Sequence, residues 1–114
     1  MKIEGDGKLV RIFVGESDRW EGRPLYEAIV HRVHEAGGAG ATVLRGIEGF
    51  GAHSRIHTAR ILRLSQDLPI VIEIVDTAER IDALLPEIDA MTHEGLVTIE
   101  NVRILKYEAG RKPE

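Results

Sequence analysis

The sequence predicts an α+β domain built as a split βαβ sandwich, and three observations carry that prediction. Apolar residues alternate with period two at 8–14 and 70–75, apolar stripes of helical spacing cover 25–36 and 81–88, and no linker or low-complexity stretch divides the 114 residues. Taken in order, the elements read strand, helix, strand, strand, helix, strand. This βαββαβ order is the ferredoxin-like arrangement, an antiparallel sheet with two helices on one face, because right-handed crossovers deliver both helices to the same side.

Residues 1–7 (MKIEGDG) are polar and glycine-containing, so they read as a flexible N-terminal tail ahead of a single domain spanning 8–107. In the first strand, Val10, Ile12 and Val14 point one way while Leu9, Arg11 and Phe13 point the other. The first helix covers 23–36, with Pro24 in its first turn, Leu25, Ala28, Ile29, Val33 and Ala36 as its buried stripe, and Gly37 to close it. A second strand is expected over 41–50 and a third over 70–75, after Pro69. Asp76 and Glu79 form a candidate capping pair for the second helix, whose stripe is Ile81, Leu84, Leu85 and Ile88. Pro86 removes a backbone donor inside that helix, which predicts a kink. The last strand is expected over 96–107, and 108–114 reads as a C-terminal tail.

Composition narrows the function classes. The chain carries 15 basic and 19 acidic residues for a net charge of −4, and five of its residues are aromatic. An acidic chain with so few stacking side chains argues against nucleic acid as a partner. It has no cysteine, which removes disulfides and thiolate metal sites. No N-terminal apolar core and no run near the roughly 20 residues of a membrane span are present, so a cytoplasmic location is expected. Two helices cover only one sheet face, yet Leu9, Phe13, Val71 and Val75 occupy the other. A face of that kind predicts self-association through the sheets.

The stretch GATVLRGIEGFG at 40–51 concentrates the functional question. Gly46, Gly49 and Gly51 weaken a strand end, so the chain either bends there or leaves main-chain room for a ligand or a second subunit. Residues 51–60 follow, GAHSRIHTAR; with Arg45 and Arg63 at its flanks, the region collects four arginines and no acid between Gly49 and Ser65. Such a local positive patch suits a phosphate or an acidic partner, and equally a solvated loop. The glycines of GGAGAT at 37–42 follow a helix and precede a strand, the reverse of a phosphate-cradling loop, so they end a helix and form a turn. His31 with His34 and His53 with His57 have spacings that could share a metal, but two ligands make an incomplete site unless Glu16 or Asp18 completes it. Ser17, Ser54 and Ser65 have no nearby base in sequence, so the pattern supports no catalytic residues.

GESDRWEGRPLYEAIV, GATVLRGIEGFG, SQDLPIVIEIVD and HEGLVTIENVRI, in that order, resemble the bacterial and archaeal family known as domain of unknown function 190. That family is similar in fold to the PII signalling proteins. The resemblance implies a homotrimer, with 51–60 as the signalling loop that reaches a protein target such as a membrane transporter. It further implies an adenine nucleotide (AMP, ADP or ATP) in a cleft at the loop base, which would place Glu16, Arg45, Gly46, Gly49, Phe50, Gly51, Arg55 and Arg60 at the ligand. The chain departs from PII proteins before its second helix, where EIVDTAERI replaces the glycine-rich, lysine-containing phosphate loop. Phosphate would then fall to Arg45, Arg55 or Arg60. The leading expectation is a non-catalytic PII-like regulator. The competing one is a divalent-metal-responsive trimer resembling CutA proteins, with His53, His57 and Glu16 as ligands; a third is an enzyme with an intersubunit site.

Overall fold

The computed structural model describes residues 1–50, 57–58 and 67–109. Four strands form one antiparallel sheet: β1 (Lys2–Gly15), β2 (Thr42–Arg45), β3 (Pro69–Asp76) and β4 (Leu96–Glu108), in the order β2-β3-β1-β4. Two helices, α1 (Leu25–Glu35) and α2 (Ala78–Met91), connect β1 to β2 and β3 to β4. This is the βαββαβ sandwich expected from the alternation. The register puts Val10 opposite Ile74 and Ile12 opposite Ile72, so the inward sets of β1 and β3 coincide. Onto them pack Leu25, Ala28, Ile29 and Val33 of α1 and Ile81, Leu84, Ile88 and Met91 of α2, all buried in one core. Each such Val, Leu, Ile or Met side chain contributes about 1.5–3 kcal/mol by leaving water, which fixes both helices to this face.

Several boundaries differ from the sequence reading, each for a nonlocal reason. Residues 2–7 are not a tail. They continue β1, with Lys2 opposite Glu108, Ile3 opposite Tyr107 and Gly7 opposite Val102, and Ile3 is buried. The glycines that suggest a loose end serve this pairing instead. A Cβ on Gly7 would lie 2.6 Å from Cδ1 of Ile104 and 2.7 Å from the Asp76 carbonyl oxygen, and Gly5 takes a φ of +97° where the register shifts. At the other end, β4 runs through Glu108, while 110–114 lie outside the described residues. The expected second strand stops at Arg45; Glu48–Gly49 forms a separate short ladder with His57–Thr58. The second helix runs on through Pro86 to Met91.

Asp76 is not a helix cap. Strand alternation carries it to the same side as Ile70, Ile72 and Ile74, where it is fully buried. Its carboxylate accepts the N–H of Ala39 at 2.8 Å and of Thr77 at 2.7 Å. The cap is Thr77, whose hydroxyl accepts the Arg80 N–H at 3.3 Å. Tyr107 donates its hydroxyl to the Ala39 carbonyl at 2.7 Å, so the turn after α1 is held from both β3 and β4. Gly37, at φ +79°, closes α1 as expected.

The opposite sheet face has no helix over it among the described residues. Leu44, Val75 and Leu96 are 48%, 42% and 56% exposed there, beside Leu9, Phe13 and Val71. At its centre Arg11 donates from Nε to Glu73 at 2.8 Å and from Nη1 to Glu100 at 2.6 Å. The hydrogen bond to Glu73 is the main cause of a guanidinium pKa raised above its ordinary value, with the nearby Glu100 charge adding to it.

Candidate functional site

Three strand ends meet at one edge of the sheet, where β1 and β2 finish and β3 begins. The chain segment at 67–69 lies between the other two and organises them. Glu16, the residue after β1, donates its N–H to the Leu68 carbonyl at 2.9 Å, and Gly46, the residue after β2, donates to the Pro69 carbonyl at 2.7 Å. Two residues 30 positions apart in sequence are thereby pinned to consecutive carbonyls.

Their side-chain chemistry follows from that placement. Arg45 brings Nη2 to the Glu16 carboxylate, 2.8 Å from Oε1 and 2.7 Å from Oε2. The Arg45 side chain is 59% exposed and that of Glu16 24%, so Glu16 is the more buried half of the pair and Arg45 the more exposed. Asp18 turns its carboxylate back to the Gly15 N–H at 3.0 Å, and Asp67 accepts the Ser17 N–H at 2.7 Å. These two carboxylates shape the turn that presents Glu16. Asp67 and Pro69 lie inside the SQDLPIVIEIVD stretch, but their role at the site shows only in their contacts to Gly15, Ser17, Gly46 and Gly49.

The glycines now have a specific explanation. A Cβ on Gly46 would lie 2.6 Å from Cγ of Pro69, and one on Gly49 would lie 3.1 Å from the same atom. Both glycines therefore admit the Pro69 ring, and the space that a side chain would take is filled by the protein itself. Beyond them, Glu48 pairs with Thr58 and Gly49 with His57. On either side of Glu48–Gly49 in the chain, Ile47 is 78% exposed and Phe50 69% exposed.

Of the residues expected at a ligand, the structure thus gathers Glu16, Arg45, Gly46 and Gly49 around 67–69, with Phe50 next in the chain. Gly51, Arg55 and Arg60 lie outside the described residues, as does His53 of the expected metal set. His31 and His34 are exposed on α1. Among the described residues no group of three or more His, Cys, Asp or Glu side chains is arranged to hold a metal ion. His93 stacks obliquely on Trp20 with ring centroids 6.1 Å apart, and Trp20 packs against the core. That contact gives Trp20 a structural task at the end of the sandwich. No described helix is long and apolar enough to cross a membrane.

Comparison with known proteins adds a family and a fold. The model of the family DUF190, described as "Uncharacterized ACR, COG1993", matches residues 7–104. A UPF0166 protein of Aquifex aeolicus is 41% identical over 98 residues, covering 86% of this chain and 92% of its own. UPF0166 protein MJ1524 of Methanocaldococcus jannaschii is 35% identical over 102 residues, covering 89% and 94%. Among solved structures, CPII of Thiomonas intermedia K12, a nitrogen regulatory PII-like protein bound to ADP, AMP and bicarbonate, superposes with a TM-score of 0.62 at 21% identity, covering 87% of this chain and 88% of its own. CutA of Synechococcus elongatus PCC7942, complexed with Bis-Tris, gives 0.58 at 17% identity, covering 95% and 90%. At such identities the likeness is one of fold.

Proposed function

Because the chain belongs to the DUF190 family and carries a PII-like fold, we propose that it is a non-catalytic regulator that binds a small anionic metabolite at the sheet end around Glu16 and Arg45. The best candidate is an adenine nucleotide, AMP, ADP or ATP. The observation that carries this reading is the Arg45 guanidinium, presented to water at the junction of three strand ends and the base of the loop. A planar donor fork of that kind suits a phosphate, and the neighbour bound to ADP and AMP supports the choice of nucleotide. Phe50, exposed five residues further along the chain, offers a stacking face to the base. Gly51, Arg55 and Arg60 supply the remaining contacts from the loop side, and residues 51–60 carry the signal to a protein target, such as a membrane transporter.

The site is completed by self-association. The uncovered apolar face turns inward in a homotrimer, burying Leu44, Val75 and Leu96 and placing each loop base beside a neighbouring subunit. Calorimetric titration with AMP, ADP and ATP tests the ligand. Saturable binding of at least one of them, weakened by Arg45→Ala, is expected; no heat at millimolar nucleotide would overturn the reading.

A further inference from the structure

The Glu16–Arg45 pair raises a difficulty for any anion arriving at this site, because the cation it needs already holds a carboxylate. Glu16 is fixed by its own backbone, through the Leu68 carbonyl, and its side chain is the more buried of the two. Asp18 and Asp67 add two further carboxylates to the same turn, bound to the N–H groups of Gly15 and Ser17 on either side of Glu16. A phosphate that engages Arg45 therefore meets the Glu16 carboxylate on a turn that carries two more acidic side chains. Resting on the reading in the preceding subsection, we propose that Glu16 is the specificity-determining residue of the site: an internal carboxylate that an incoming anion displaces from Arg45, and that selects against ligands of higher phosphate charge.

The physical argument has two parts. Both Glu16 oxygens lie within 2.8 Å of one guanidinium nitrogen, so an anion using that nitrogen must take its place. Exposed pairs of this kind are weak, and losing the competitor should tighten anion binding by up to about fivefold. Glu16 also repels what it cannot exclude. A unit charge about 4 Å away in a water-like medium is worth about fivefold in affinity, and the effect fades beyond a screening length of about 8 Å. The phosphate on Arg45 feels this most, and each further phosphate adds a smaller increment. Glu16 thus favours a nucleoside monophosphate over the di- and triphosphate, relative to the same site without it.

Isothermal titration of AMP, ADP and ATP into the parent, Glu16→Gln and Glu16→Ala proteins, at constant ionic strength, tests the proposal. The alanine variant removes the charge without offering an amide donor to the phosphate, and thermal melts establish that each variant is folded. Both variants should bind all three nucleotides more tightly, by a fewfold for AMP and by a larger factor for ATP. Unchanged or weaker binding in both variants overturns the proposal while leaving the nucleotide reading intact. Equal gains for AMP and ATP overturn the charge selection. Failure of the parent and both variants to bind any of the three overturns the nucleotide reading itself, and the proposal with it.

Discussion

Gly46→Ala is a small change that the geometry makes expensive. The new methyl carbon would sit 2.6 Å from Cγ of Pro69 and 3.3 Å from the Pro69 carbonyl oxygen. That oxygen already accepts the Gly46 N–H at 2.7 Å, and Pro69 is itself paired with Gly15 of β1. A proline ring cannot rotate aside as a long side chain would, so the strand end must move. Overpacking of this kind costs about 1–3 kcal/mol. At about 4 °C per kcal/mol for a domain of this size, the thermal midpoint should fall by about 4–12 °C. Gly40→Ala is the control, because nothing lies within 4 Å of a Cβ at that position. It should stay within about 0.5 kcal/mol of the parent or gain slightly from a less flexible unfolded chain. Melts must be compared at one protein concentration, since association shifts apparent stability. If Gly46→Ala melts with the parent, or both variants fall equally, the close packing on Pro69 does not explain that glycine.

Three further outcomes are expected. Asp76→Ala strands the N–H groups of Ala39 and Thr77, and should lower unfolding free energy by about 2–4 kcal/mol in denaturant titrations; a loss under 1 kcal/mol would mean that water replaces the carboxylate. Arg45→Ala should weaken nucleotide binding by about 1.5–3 kcal/mol through the lost charge-assisted hydrogen bond, read by calorimetry, with the melting temperature nearly unchanged. Arg11→Met leaves Glu73 and Glu100 without their shared cation on the apolar face, and light scattering coupled to gel filtration should show loss of the proposed trimer. A trimer as stable as the parent's would place the interface elsewhere.

The alternation of Val10, Ile12 and Val14 against Ile70, Ile72 and Ile74 made the sheet and its inward face legible, because burial on one side forces a period of two. The same rule extends one period further to Asp76, where it was masked: a carboxylate before a helix looks like a cap, and only the N–H of Ala39, 37 residues away, reveals its buried role. Residues 2–7 were illegible for a related reason. Their glycines lower local strand preference, and the pairing with β4 that overrides it joins residues about 100 positions apart. At the site, Arg45 and the glycines were visible as residue types. Their arrangement was not, since the Glu16–Arg45 pair and the packing of Gly46 and Gly49 on Pro69 are contacts that only the folded sheet creates.

A crystal structure of the protein grown with AMP should show a trimer with the nucleotide near residues 67–69, its phosphate on Arg45, and the Glu16 carboxylate moved off that guanidinium. A nucleotide bound away from 67–69, with the Glu16–Arg45 pair intact, would contradict this reading.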